Sequence, residues 1–237
     1  METQTPQALS AQTRDRARTL LARAYEEAVT MPGTLLPNEI LTDLRYMAWR
    51  ILAEVVEHGQ NAMNSANGSR PAAYNLNHPI DATVVGVLIG RELLDDSALE
   101  DLGTGLFLQD IGNLALPPGL VQKEGPLEDD EWALMMQHPL LGLAFLHDDS
   151  ISPAAKAVVR SHHERWDGSG YPGGLIGDEI PLFARIAAVA DVFDAVTSQR
   201  HHAPAMDPRH AVELIRGGSG TDFDPMVVEA FVGAIDG

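Results

Sequence analysis

The chain has 237 residues, 45% of them hydrophobic, enough for one substantial core or one domain plus a smaller helical unit. A formal net charge of −18 and a pI of about 4.7 oppose binding to nucleic acid polymers and to anionic membranes. There is no cysteine, so disulfides and thiolate metal ligands are excluded, and a metal must be held by His and carboxylate.

No apolar run is long enough to span a bilayer. The opening residues METQTPQALSAQTRDRARTLL are polar and lack a signal-peptide core, so the expectation is a soluble cytoplasmic protein. Residues 1–70 read as an N-terminal helical segment and linker, and 71–237 as the main domain. Leu20, Leu21, Ala24 and Ala28 are at helical spacing, and Met31-Pro32-Gly33 breaks the pattern. Pro37-Asn38 opens a second helix with Ile40, Leu44, Met47, Ile51 and Val55 on one face, stopping near His58-Gly59. These two apolar faces need covering, by packing on the main domain or by a second copy in a homodimer. No chemistry is evident in them. Residues 61–73 are small and polar and read as a linker.

Asn77-His78-Pro79 then leads into an apolar helix, and a further helix runs from about Ser97 to Leu108. Gln109-Asp110-Ile111-Gly112-Asn113 follows, and Pro117-Pro118-Gly119 reads as a turn. Leu127-Glu128-Asp129-Asp130 opens a helix with acids suited to its first turn, leading to Gln137-His138-Pro139. The stretch from Ser161 to Arg200 carries the most chemistry. It holds His162 and His163, then the glycine-rich run Asp167 to Gly174, then a helical pattern with Asp191 and Asp194. Imidazoles and carboxylates beside a glycine loop that can approach a phosphate suggest a metal site next to a ligand pocket. Two helices follow, one from Pro208 and one after Asp224-Pro225. No alternating strand pattern and no internal repeat is present, so the fold class is all-α.

The order HHE, DGSGYP, ADVFDAVTSQR resembles the HD-GYP family of bacterial metal-dependent phosphohydrolases, over residues 74 to 235. The resemblance implies an HD-type helical bundle, here with an N-terminal helical extension. It implies two divalent metal ions, Fe or Mn, and cyclic di-GMP as substrate in second-messenger signalling. Two metals roughly 3.5–4 Å apart make water a nucleophile and neutralise phosphoryl charge.

Carried over by residue, the resemblance makes Asp110 the catalytic, metal-bridging carboxylate. His138, His162 and His163 would complete one site. His78 and Asp191 would form the other, with Gln109 where the family has His. An amide oxygen is a weaker ligand than imidazole, so this second site is impaired and one metal is an alternative to two. Gly170, Tyr171 and Pro172 match the motif that names the family and face the ligand. Arg200 matches its phosphate-contacting arginine. Arg185 reads equally as a ligand contact or as a salt bridge within the bundle. Asn113 stands where the family has a lysine, and His201-His202-Ala203 replaces Pro-Tyr and a basic residue. These departures leave two readings: a cyclic di-GMP phosphodiesterase, or a degenerate module that binds the nucleotide or a partner protein without turnover. Hydrolysis of another phosphoester is a third. His147-Asp148 is a His-Asp pair without the following Ile-Gly and is expected not to bind metal. Asp194, three residues from Asp191, is expected to accept a hydrogen bond rather than ligate.

Overall fold

Helix α3 (Tyr74–Leu93) is the axis of the molecule, and every residue from Asn77 to Gly90 is buried. A helix apolar on all sides must be enclosed. It is enclosed by α2 (Asn38–His58), α4 (Asp96–Leu108), α9 (Leu182–Thr197) and α11 (Pro225–Asp236). The computed structural model describes residues 9–30, 35–59, 74–123, 125–147, 149, 151–199 and 204–236. The remaining elements are α1 (Ala11–Thr30), the 3-10 helix η1 (Ile111–Ala115), α5 (Pro118–Val121), α6 (Asp129–Met135), α7 (His138–Phe145), α8 (Pro153–Ser161), the 3-10 helix η2 (Gly177–Glu179) and α10 (Pro208–Gly217). The described residues contain no strand, only an isolated bridge between Ser219 and Phe223, so the fold is all-α as expected. No helix among them is long and apolar enough to cross a membrane.

Local signals place the helix ends. Asp95 accepts a hydrogen bond from the Ala98 amide at 3.0 Å and starts α4, and Ser152 accepts from Ala155 at 3.1 Å and starts α8. Gly59, at a φ of +58°, ends α2. Two expectations shift. α3 begins at Tyr74, ahead of Asn77. The Pro117-Pro118-Gly119 run opens a short helix rather than a plain turn, because proline at the first helical position loses no hydrogen bond. The expected break at residues 31–33 and the linker at 61–73 lie outside the described residues.

The two N-terminal helices pack on the body. Arg14 pairs with the fully buried Asp81 at 2.6 Å, and Arg18 Nε donates to Asn77 Oδ1 at 2.6 Å. Glu54 of α2 accepts from the Ser10 amide at 2.7 Å and from the Thr13 hydroxyl. Leu44, Ile51 and Val55 of α2, all at the core, fill the stripe read from the sequence.

Candidate metal centre and ligand cavity

Asp110 follows the end of α4, and η1 carries it against α7. Gly112 permits this contact: a Cβ there would lie 1.8 Å from the His138 carbonyl oxygen and 2.6 Å from the Gly142 nitrogen. Only glycine lets the two backbones meet so closely. His138 opens α7 with its Nδ1 2.9 Å from the Met135 carbonyl oxygen. His162, just past α8, holds its Nδ1 3.1 Å from the Val159 carbonyl oxygen. Donating Nδ1–H to a carbonyl leaves the Nε2 lone pair free to ligate.

These Nε2 atoms converge to 3.2 Å, and Asp110 Oδ1 lies 3.4 Å from that of His138 and 3.9 Å from that of His162. With His163, the four residues offer ligand atoms all within 4.8 Å of one another. Burial, then the neighbouring His162, pushes the His163 imidazole well below its ordinary value; burial, then His138, lowers His162. Neutral imidazole is the ligating form. One carboxylate and three imidazoles suit a divalent transition metal.

Asp110 turns its other oxygen, Oδ2, to His78 Nε2 at 3.5 Å. His78 is buried in α3, with Nε2 2.8 Å from Asp191 Oδ1 and Nδ1 2.6 Å from Asp194 Oδ2. Asp194 thus takes the hydrogen-bonding role expected of it and orients His78. Burial opposes ionisation of Asp191, but its hydrogen bond from His78 prevails and holds the carboxyl well below the usual range. Gln109 is fully buried here. Its amide nitrogen lies 3.2 Å from Asp191 Oδ1 and 3.4 Å from His78 Nε2, and its Oε1 has no partner among the described residues. A second metal fits this group less well than the first, because the amide presents a donor to the carboxylate that would ligate.

Tyr171 stacks on His163 with centroids 4.8 Å apart and meets Trp132 edge-on at 6.3 Å. Burial, then the Asp110 charge, raises its phenol above the ordinary tyrosine value. Its loop is braced by the buried Glu164, which accepts from the Gly173 amide at 2.6 Å and the Leu175 amide at 3.1 Å. Gly170 is required by packing, since a Cβ would lie 2.3 Å from the Arg165 nitrogen. Pro172 follows Tyr171 on that loop and does not line the cavity described next.

A cavity of about 1320 Å³ opens over the cluster, lined among others by Asp110, Asn113, His163, Tyr171, Trp132 and Asp191. Asn113 Oδ1 has no partner among the described residues. Arg185 is used elsewhere. It pairs with Asp224 at 2.7 Å and Asp178 at 3.0 Å and lies over the Trp166 ring, so the salt-bridge reading describes its position. Arg200, His201, His202 and Ala203 lie outside the described residues, as does Asp148. His147 bonds Phe145 and Asn38, away from the cluster. Three residues here escaped the sequence reading. Glu164 directly follows the paired histidines and could have been found there. Trp132 and Tyr25, another cavity residue, carry no local signal.

Residues 51–227 match the HD domain family, and the chain belongs to it. Within that class it is homologous to the HD-GYP cyclic di-GMP phosphodiesterases. A probable cyclic di-GMP phosphodiesterase of Vibrio cholerae is 41% identical over 150 residues, covering 60% of this chain and 34% of that protein. The 3'3'-cGAMP-specific phosphodiesterase 2 of the same organism is 39% identical over 124 residues, covering 52% of this chain and 24% of that protein. The chain spans less than half the length of the curated relatives it matches. Among solved structures, Bd1817, an HDG"Y"P protein from Bdellovibrio bacteriovorus, shares the fold at a TM-score of 0.71 and 17% identity. It covers 94% of this chain and 72% of that one.

Proposed function

We propose that this chain is a metal-dependent phosphodiesterase acting on a cyclic dinucleotide, cyclic di-GMP first, in bacterial second-messenger signalling. The observation that carries this reading is the convergence of Asp110, His138, His162 and His163 beneath a cavity walled by Tyr171. The homology to phosphodiesterases of cyclic di-GMP and of 3'3'-cGAMP supports it and leaves the base choice to experiment.

The four residues would hold the first ion, and His78 with Asp191 the second. A divalent ion bound there supplies charge neutralisation at phosphorus and makes water a better nucleophile near neutral pH. The chain's own residues do the rest. The carbonyls of Met135 and Val159 fix the imidazole tautomers. Asp110 spans the two groups through its separate oxygens. Tyr171, held flat on His163, walls the cavity where a base or ribose would lie. In the reaction, water adds at phosphorus and the ribose 3′-oxygen leaves with a proton.

A second reading is a module that binds the nucleotide without turnover. The Gln109 amide donating to Asp191, and Asn113 in place of a cation, favour it. The deciding experiment loads anaerobically purified protein with Fe(II) or Mn(II) and assays cyclic di-GMP hydrolysis beside Asp110→Ala. Turnover lost in the variant establishes the enzyme. Binding without turnover under every divalent metal supplied establishes the receptor.

A further inference from the structure

Tyr25 lies before the family match at 51–227, yet it lines the cavity with His78, Asp110 and Asn113. Its position follows from the register of α1 on α3. The two helices run antiparallel: Arg14 meets Asp81, and Arg18, one turn on, meets Asn77. Leu21 and Tyr25 continue that stripe at helical spacing, so Tyr25 comes level with the start of α3 and with His78. The register is firm, since sliding α1 by a turn would leave the fully buried Asp81 carboxylate without Arg14.

The chemistry of the cavity gives this phenol a task. Lys123 is the one lysine or arginine lining it among the described residues, and it pairs with Glu131. Glu26, Asp110 and Asp191 line it too, and Asn113 brings no charge. An anionic ligand therefore meets little positive charge from lysine or arginine and depends on neutral donors. The Tyr25 phenol makes no hydrogen bond to a described residue. A tyrosine phenol keeps its proton near neutral pH and can donate through its O–H. A neutral O–H donor to an anionic oxygen forms a charge-assisted hydrogen bond.

We propose that Tyr25 is a ligand-binding residue whose phenol donates a hydrogen bond to a phosphoryl oxygen held in the cavity beside Asp110. The N-terminal extension then forms part of the binding site. The proposal rests on the reading of the cavity as a phosphoester site.

The test uses the full chain loaded with Mn(II), as wild type and Tyr25→Phe. Inorganic phosphate is the probe, its binding followed by paramagnetic broadening of its phosphorus resonance. Wild type is expected to bind phosphate about tenfold more tightly than the variant, the loss of one hydrogen bond to a charged group. Manganese content and Tm should be the same in both. Equal phosphate affinities, or no phosphate binding by wild type, would overturn the proposal. So would loss of manganese or a lowered Tm in Tyr25→Phe, since the ring would then be structural. Cyclic di-GMP and 3'3'-cGAMP are titrated on the same samples. Tyr25-dependent phosphate binding without binding of either dinucleotide would sink the proposed substrate and leave Tyr25 in place. Equal dinucleotide binding by the two proteins would do the reverse.

Discussion

The Gln109 amide nitrogen lies 3.2 Å from Asp191 Oδ1, so a donor sits where the second metal site needs a ligand. The first group has four candidate ligands of the right type; the second has His78, Asp191 and an amide. Wild-type protein is therefore expected to bind a second metal more weakly than the first, with about one metal per chain at limiting supply, and Gln109→His about two. Elemental analysis with metal-binding calorimetry reads both numbers. Equal stoichiometry in the two proteins would show that Gln109 does not limit the site.

Gly112 sets how closely η1 approaches α7. Gly112→Ala puts a methyl group 1.8 Å from the His138 carbonyl oxygen, so backbone must move. A loss of about 1–3 kcal/mol is expected, as for overpacked interiors. Metal affinity should fall with it, because the same shift separates Asp110 from His138. Chemical denaturation and a metal titration on one preparation check the pair, and an unchanged stability would refute the packing account.

Glu164 braces the Tyr171 loop through two backbone amides. In Glu164→Ala these donors lose a charged acceptor, at a cost of about 1.5–3 kcal/mol. Four-ligand metal binding should survive, since Glu164 is not in the cluster, whereas cyclic di-GMP affinity should drop. A variant with wild-type affinity and lowered Tm would make Glu164 purely structural.

The buried histidines predict a pH dependence for the metal-free protein. His162 and His163 titrate below their ordinary value of 6.5 in the folded chain. Below that pH the unfolded chain binds more protons than the folded one, so stability is full above about 6.5 and falls as the solution becomes more acidic. The depressed Asp191 acts elsewhere: its contribution persists above 3.8 and is lost only in stronger acid. Tm should therefore decline from pH 7.5 to 5.0, and His163→Gln should flatten the profile. A flat wild-type profile would contradict this.

The sequence by itself determined the helices and pointed to the candidate ligands. Apolar residues at helical spacing, proline and glycine at the ends, and capping acids and serines are local signals, because a helix closes its hydrogen bonds within a few residues. His78, Asp110, His138, His162, His163 and Asp191 were legible only through the resemblance to the HD-GYP family, whose motif order they match. Tertiary structure decided how those residues divide: Asp110 faces both groups, one oxygen to each, and Gln109 donates into Asp191. It also decided the fate of Arg185, drawn off by Asp224, and brought Tyr25 from α1 to the cavity across 85 positions from Asp110 (110 − 25). Such contacts depend on helix register, and register is set by pairs such as Arg14 and Asp81 that are 67 residues apart. No local pattern encodes a partner that distant.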